Sequence, residues 1–115
     1  MAIQTPICDF GQKAHDFGLK STDNKISFLN DVKGKNGTLI MFICNHCPYV
    51  KAVIKNIVDD CKKLEDFGIK AVAICSNDSI NYPEDSFENM IEFSKSNNFN
   101  FPYLIDKTQE VAIRY

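Results

Sequence analysis

Thr38-Leu39-Ile40-Met41-Phe42-Ile43-Cys44-Asn45-His46-Cys47-Pro48 is the stretch on which the fold turns. Thr38 to Cys44 is an apolar run of strand length, bounded by Gly37 and Asn45, and it reads as a strand buried on both faces. From Pro48 the period changes. Val50, Val53, Ile54, Ile57, Val58, Cys61, Leu64 and Phe67 recur in steps of three and one, which traces a single face of a helix over Pro48 to Phe67. Pro48 suits the first turn, where its missing N–H costs nothing, and Gly68 is a natural stop. Ile69 to Cys75 is apolar again and predicts a second strand. The three pieces make a βαβ unit, with parallel strands and a right-handed crossover.

Outward from this unit the alternation continues. Asp23-Asn24 and Gly34-Lys35-Asn36-Gly37 read as loops around short extended pieces near Phe17 to Leu19 and Ile26 to Leu29. Ser76 to Pro83 is a polar loop. Glu84 to Asn97 predicts a second long helix, with Phe87, Met90, Ile91 and Ser94 on one face. Pro102 to Ile105 is a short strand, and Gln109 to Tyr115 is helical. Strands alternating with helices mean an α/β fold.

The 115 residues form one domain, 1–115, large enough to bury roughly two-thirds of the unfolded surface without staples. With a net charge of −2 and lysines scattered among acids, the chain has no basic footprint for nucleic acid. No apolar run approaches the roughly 18 residues needed to span a bilayer. Met1 to Pro6 lacks a basic and then apolar leader pattern, so a cytoplasmic location is expected.

The cysteines are Cys8, Cys44, Cys47, Cys61 and Cys75. An odd count in a chain of this size argues against a secreted disulfide framework and towards catalytic or metal-binding thiols. Cys44 and Cys47 stand out because their pair follows a strand and opens a helix, the setting of a thiol–disulfide redox site. The partial positive charge of a helix N-terminus, together with His46, is expected to acidify Cys44. Cys44 would then attack a disulfide, and Cys47, one turn in and more buried, would resolve the mixed disulfide. Asn45, His46 and Pro48 are the residues expected to tune the pair. Cys61 and Cys75 read as core, Cys8 as structural, His15 as a surface residue, and Asp16 and Asp78 as turn or cap residues. No cofactor and no metal are expected: Cys44, His46 and Cys47 make only one arm of a site that wants four ligands, and Cys8 or His15 would have to complete it.

Several segments resemble a known family. Ala14-His15-Asp16-Phe17-Gly18-Leu19 and Ile26-Ser27-Phe28-Leu29-Asn30-Asp31 resemble the opening of redoxin-type proteins, the thioredoxin-fold group that includes peroxiredoxins. Phe42 to Lys51, Ser76-Asn77-Asp78, Tyr82-Pro83-Glu84-Asp85-Ser86 and Phe101 to Asp106 are similar to a subfamily with a Cys-Asn-His-Cys-Pro motif within the alkyl hydroperoxide reductase/thiol-specific antioxidant-like redoxins. The resemblance covers about residues 10–115. It implies a thioredoxin-like fold, Cys44 as attacking and Cys47 as resolving cysteine, and protein or small-molecule disulfides and thiols as partners. His46, directly before the second cysteine, is similar to oxidising periplasmic members of the fold.

The resemblance also implies further C-terminal strands, including one preceded by a cis-proline that faces the disulfide. Pro6, Pro48, Pro83 and Pro102 are not placed to supply it, so the domain is expected to be shortened at its C-terminus. One side of the 38–44 strand would then lack a partner, an edge open to self-association. Two other functions compete. A thiol peroxidase would use Cys47-Pro48, but Ile40 and Cys44 stand where peroxiredoxins place the Pro and Thr that hold peroxide. A metal-binding module of the same fold would pair the cysteines with His46.

Overall fold

Ile69–Cys75 (β4) is the strand around which everything else packs. The computed structural model describes residues 10–115, and in it Val72, Ala73 and Ile74 are wholly buried. Gly37–Phe42 (β3) lies parallel to β4 on one side, from Gly37 opposite Ile69 to Phe42 opposite Ile74. Tyr103–Ile105 (β5) lies parallel on the other side. Gly18–Ser21 (β1) runs antiparallel to β5, and Ile26–Phe28 (β2) antiparallel to β1, so the sheet order is β2-β1-β5-β4-β3.

Helices cover both faces. Pro48–Glu65 (α2) presents Ile54, Val58 and Cys61 to Ala71, Ala73 and Cys75, and Met90 of Phe87–Ser96 (α3) joins them with Phe101 and Tyr103. On the opposite face Leu29 and Val32 of Leu29–Val32 (α1) and Val111 of Glu110–Arg114 (α4) close over Val72, Ile74 and Leu104, together with Phe17. Each fully buried aliphatic side chain of this kind contributes about 1.5–3 kcal/mol. Odd and even positions of β4 thus feed different cores, as a pleated strand requires. The result is an α/β, thioredoxin-like fold with the expected parallel βαβ core, β3-α2-β4.

Two expectations need correction. The apolar run of β3 is not buried on both faces. None of its residues is fully buried, and Leu39 and Phe42 are 39% and 42% exposed. The strand that behaves that way is β4. β3 sits at the sheet edge, and among the described residues no strand covers its outer side, the geometry behind the expected open edge. The helix expected from Glu84 to Asn97 is also broken. Pro83–Asp85 forms a separate 3₁₀ turn, and Ser86 then caps α3, its hydroxyl oxygen accepting from the Asn89 N–H at 3.2 Å.

The Gly68 stop holds. Gly68 adopts φ 74° just beyond α2, its N–H donates to the Glu65 carbonyl, and Asn36 straps the turn by donating to the Phe67 carbonyl at 2.7 Å. No helix among the described residues is long and apolar enough to cross a membrane. Cys8 lies outside the described residues.

Candidate active site

β3 ends at Phe42, and the Ile43 N–H extends its ladder by one bond to the Ile74 carbonyl at 3.0 Å. Cys44 to Cys47 then form a loop, and α2 starts at Pro48 with Cys47 as its N-cap and the Lys51 N–H on the Cys47 carbonyl. Cys47 therefore stands before the first turn, not one turn in, and it is half-buried like Cys44. Both sulfur-bearing residues line one cleft of about 710 Å³, walled by Phe42, Ile43, Val50 and Ile74 and, from the C-terminal segment, by Ala112, Ile113 and Tyr115. α4 is held there by Asp106. This buried carboxylate accepts from the Ser76 hydroxyl at 2.8 Å and from the Ala112 N–H at 3.0 Å.

The loop is clamped from below by residues far away in sequence. Asp85, 1% exposed, accepts from the Asn45 N–H at 2.7 Å and from the Asn77 side-chain amide at 2.9 Å. Asn45 is itself buried. Its amide donates to the Glu84 carbonyl at 3.0 Å, and its carbonyl accepts from the Tyr103 hydroxyl at 2.8 Å. His46 Nδ1 lies 2.5 Å from Asp85 Oδ2. Apart from this contact with the carboxylate, the buried His46 Nδ1 has no hydrogen-bond partner. The imidazole stacks parallel to Tyr82, with centroids 5.5 Å apart and an interplanar angle of 3°.

Electrostatics here overturns one expectation. Burial pushes the Cys44 thiol up. The Cys47 N–H pulls it down, the Asp85 carboxylate pushes it up, and the His46 N–H pulls it down again; the net direction is upward. The backbone N–H groups that lower it belong to the loop residues Cys47 and His46, before α2 begins, and desolvation outweighs them. Beneath the loop, burial also raises the Cys75 thiol and, most strongly, the Tyr103 phenol.

The structure thus brings Cys44, Asn45, His46, Cys47 and Pro48 together, as adjacency in sequence requires. It adds Asp85, Asn77 and Tyr103, which the residue-level reading did not single out. Asp85 looked like an acid in a helical first turn. The one signal pointing to it was its place in the Tyr82 to Ser86 segment used for the family resemblance. Cys44, His46 and Asp85 each offer a donor atom within 4.8 Å of the others, and Cys47 is outside that group. Cys61 and Cys75 are core, as expected. Asp78 holds a turn, accepting from the Ile80 N–H. His15 lies at the surface, half-covered: its ring meets Tyr115 edge-on, and its carbonyl accepts the Tyr115 hydroxyl.

A loop of this kind, opening a helix after a parallel strand, can be set beside known proteins. The AhpC/TSA family model matches residues 10–115. The chain belongs to the AhpC/TSA family. Among solved structures, an uncharacterized conserved protein from Geobacillus kaustophilus is similar at 42% identity, with TM-score 0.91 over 98% of this chain and 63% of that one. The peroxidoxin BcpB of Mycobacterium tuberculosis superposes with TM-score 0.74 at 18% identity, over 91% of this chain and 64% of that one. A secreted disulfide oxidoreductase of the same organism gives TM-score 0.69 at 18% identity, over 86% and 66%. The last two show the fold alone. No curated protein matches the chain. The AhpC/TSA chain described here spans less than two-thirds of each of these three structures.

Proposed function

We propose that this AhpC/TSA-family chain is a thiol–disulfide oxidoreductase working through Cys44 and Cys47. The observation that carries the reading is that both cysteines line one open, largely apolar cleft at the β3–α2 junction. The Cys44 thiolate, held by the N–H groups of Cys47 and His46, attacks one sulfur of a partner disulfide and expels the other as a thiol. The Cys47 thiolate then attacks Cys44 in the mixed disulfide. Two thiols of the enzyme become one disulfide, and the partner disulfide becomes two thiols. Asn45, His46 and Pro48 shape the loop, and the apolar walls suit protein or small-molecule disulfides. Titration against a glutathione redox buffer should show one reversible two-electron couple that Cys44→Ser abolishes. Absence of the couple, or its persistence in Cys44→Ser, would reject the reading.

Family membership itself favours a second reading, a thiol peroxidase in which Cys47 is oxidised to sulfenic acid by a peroxide, releasing an alcohol or water. Cys44 would then condense with that sulfenic acid, forming the disulfide and water. Ile40 and Cys44 stand in place of the peroxide-binding Pro and Thr, which weighs against it. Peroxide-dependent sulfenic acid at Cys47 in Cys44→Ser, formed far faster than on free cysteine, would establish it.

A further inference from the structure

The clamp beneath the redox loop joins the attacking cysteine to two further donor groups, an imidazole and a carboxylate. Cys44 Sγ, a ring nitrogen of His46 and a carboxylate oxygen of Asp85 lie within 4.8 Å of one another. They are a thiol, an imidazole and a carboxylate, not a patch of surface acids. Asp85 is 1% exposed, and the buried His46 Nδ1 has no hydrogen-bond partner besides its 2.5 Å contact with that carboxylate. A buried carboxylate and a buried imidazole nitrogen each carry a desolvation cost that a cation between them would offset.

From this geometry we infer that Cys44, His46 and Asp85 form a site for a divalent transition metal of borderline softness, with zinc as the best fit. Thiolate, imidazole and carboxylate are the three ligand types zinc accepts at roughly 2.0–2.3 Å, and three protein ligands plus water complete a tetrahedron. Softer or harder ions fit the mixed set less well. Charge also balances: a thiolate and a carboxylate neutralise the dication. Binding forms the sulfur–metal bond and releases the Cys44 proton to solvent. Ligands at those bond lengths sit about 3.3 Å apart on a tetrahedral ion, so imidazole and carboxylate must separate by somewhat under an ångström from their present contact. The carboxylate is already positioned: the Asn45 N–H holds Oδ1 and the Asn77 amide holds Oδ2, the outer hydrogen bonds that orient a ligating group.

Metal binding and disulfide formation compete for Cys44, so zinc would switch the proposed exchange off. The two activities separate on the other residues: the redox pair needs Cys47 and not Asp85 as a ligand, while the metal needs Asp85 and not Cys47.

The experiment is an anaerobic Co(II) titration of the fully reduced protein, followed by zinc competition. One cobalt per chain with a thiolate-to-cobalt charge-transfer band is expected, displaced by zinc, with Cys44 protected from alkylation. Cys47→Ser should keep the band while losing the two-electron couple. His46→Ala and Asp85→Asn should each weaken binding by more than the roughly 10–100-fold that loss of an outer-sphere partner costs, and Asn77→Ala by about that amount. Asn77→Ala and His46→Ala keep the test available should Asp85→Asn fail to fold. A missing thiolate band, a band lost in Cys47→Ser, or unchanged affinity in His46→Ala would overturn the metal site. If the wild-type redox couple survives such a result, the oxidoreductase reading stands without it.

Discussion

At the scale of single residues, Asp85 decides how the loop behaves. Its carboxylate is one of the groups that keep the Cys44 thiol above the ordinary cysteine range, after burial itself. In metal-free protein, Cys44 should therefore alkylate slowly at neutral pH, its rate climbing only above the usual cysteine midpoint of about 8.5. Asp85→Asn removes a negative charge from beside the sulfur, so its midpoint should move down. Peptide-level mass spectrometry of iodoacetamide labelling against pH reads this at Cys44 alone. A midpoint that stays put or rises in Asp85→Asn would show that the carboxylate does not act on the thiol. Tyr103 acts on the same loop by another route. Tyr103→Phe leaves the buried Asn45 carbonyl without its donor and should cost about 1–3 kcal/mol in urea unfolding. The Cys44–Cys47 spacing needed no structure to be seen. The Asp85 contact did, because it joins positions 40 apart and the 3₁₀ turn that aims the carboxylate depends on Ser86 taking over as helix cap.

Among the elements, β3, α2 and β4 were legible because each carries its own period: apolar runs for the strands, and a one-sided stripe ended by glycine for the helix. Their ranking was not. β3 and β4 are similarly apolar, and only the sheet order makes β4 central and β3 an edge. The same limit applies to the turns at the base of the β3–β4 pair, where two glycines look alike in sequence and differ in kind. A Cβ on Gly34 would stand 2.1 Å from the Gly37 carbonyl oxygen, 2.6 Å from the Lys70 nitrogen and 2.7 Å from the Gly68 carbonyl oxygen, all backbone. At Gly68 the nearest atom, at 2.7 Å, is the side-chain amide of Asn36, which can move, and the obstacle is mainly φ 74°. Gly68→Ala should then cost about 1–2 kcal/mol for the left-handed backbone alone. Gly34→Ala must displace the start of the β3–β4 ladder and should cost more, at or beyond the upper end of the roughly 1–3 kcal/mol of overpacking. Urea midpoints of the two variants compare them directly; equal or reversed costs would mean that the Gly34 loop relaxes freely.

Over the whole molecule, the perturbed thiols and phenols share a direction. Burial raises Cys44, Cys61 and Cys75 among the thiols and Tyr103 and Tyr115 among the phenols. A group whose folded pKa is raised keeps its proton in the folded state at a pH where the unfolded chain has lost it. The folded state then binds more protons, and stability falls as pH rises. The loss should begin near the unfolded cysteine value of about 8.5 and steepen through the tyrosine value of about 10. Asp78 works in the opposite window. The Ile80 N–H and the Asn81 amide lower it, so its contribution is present above the ordinary carboxylate range and fades as pH drops through its folded value. Urea midpoints measured under reducing conditions should therefore hold near neutrality and fall on the alkaline side. Tyr103→Phe, though less stable at pH 7, should lose less between pH 8 and pH 10.5 than the parent, since its most deeply buried phenol is gone. A flat alkaline limb in the parent, or an equally steep one in Tyr103→Phe, would place the pH sensitivity outside the buried core.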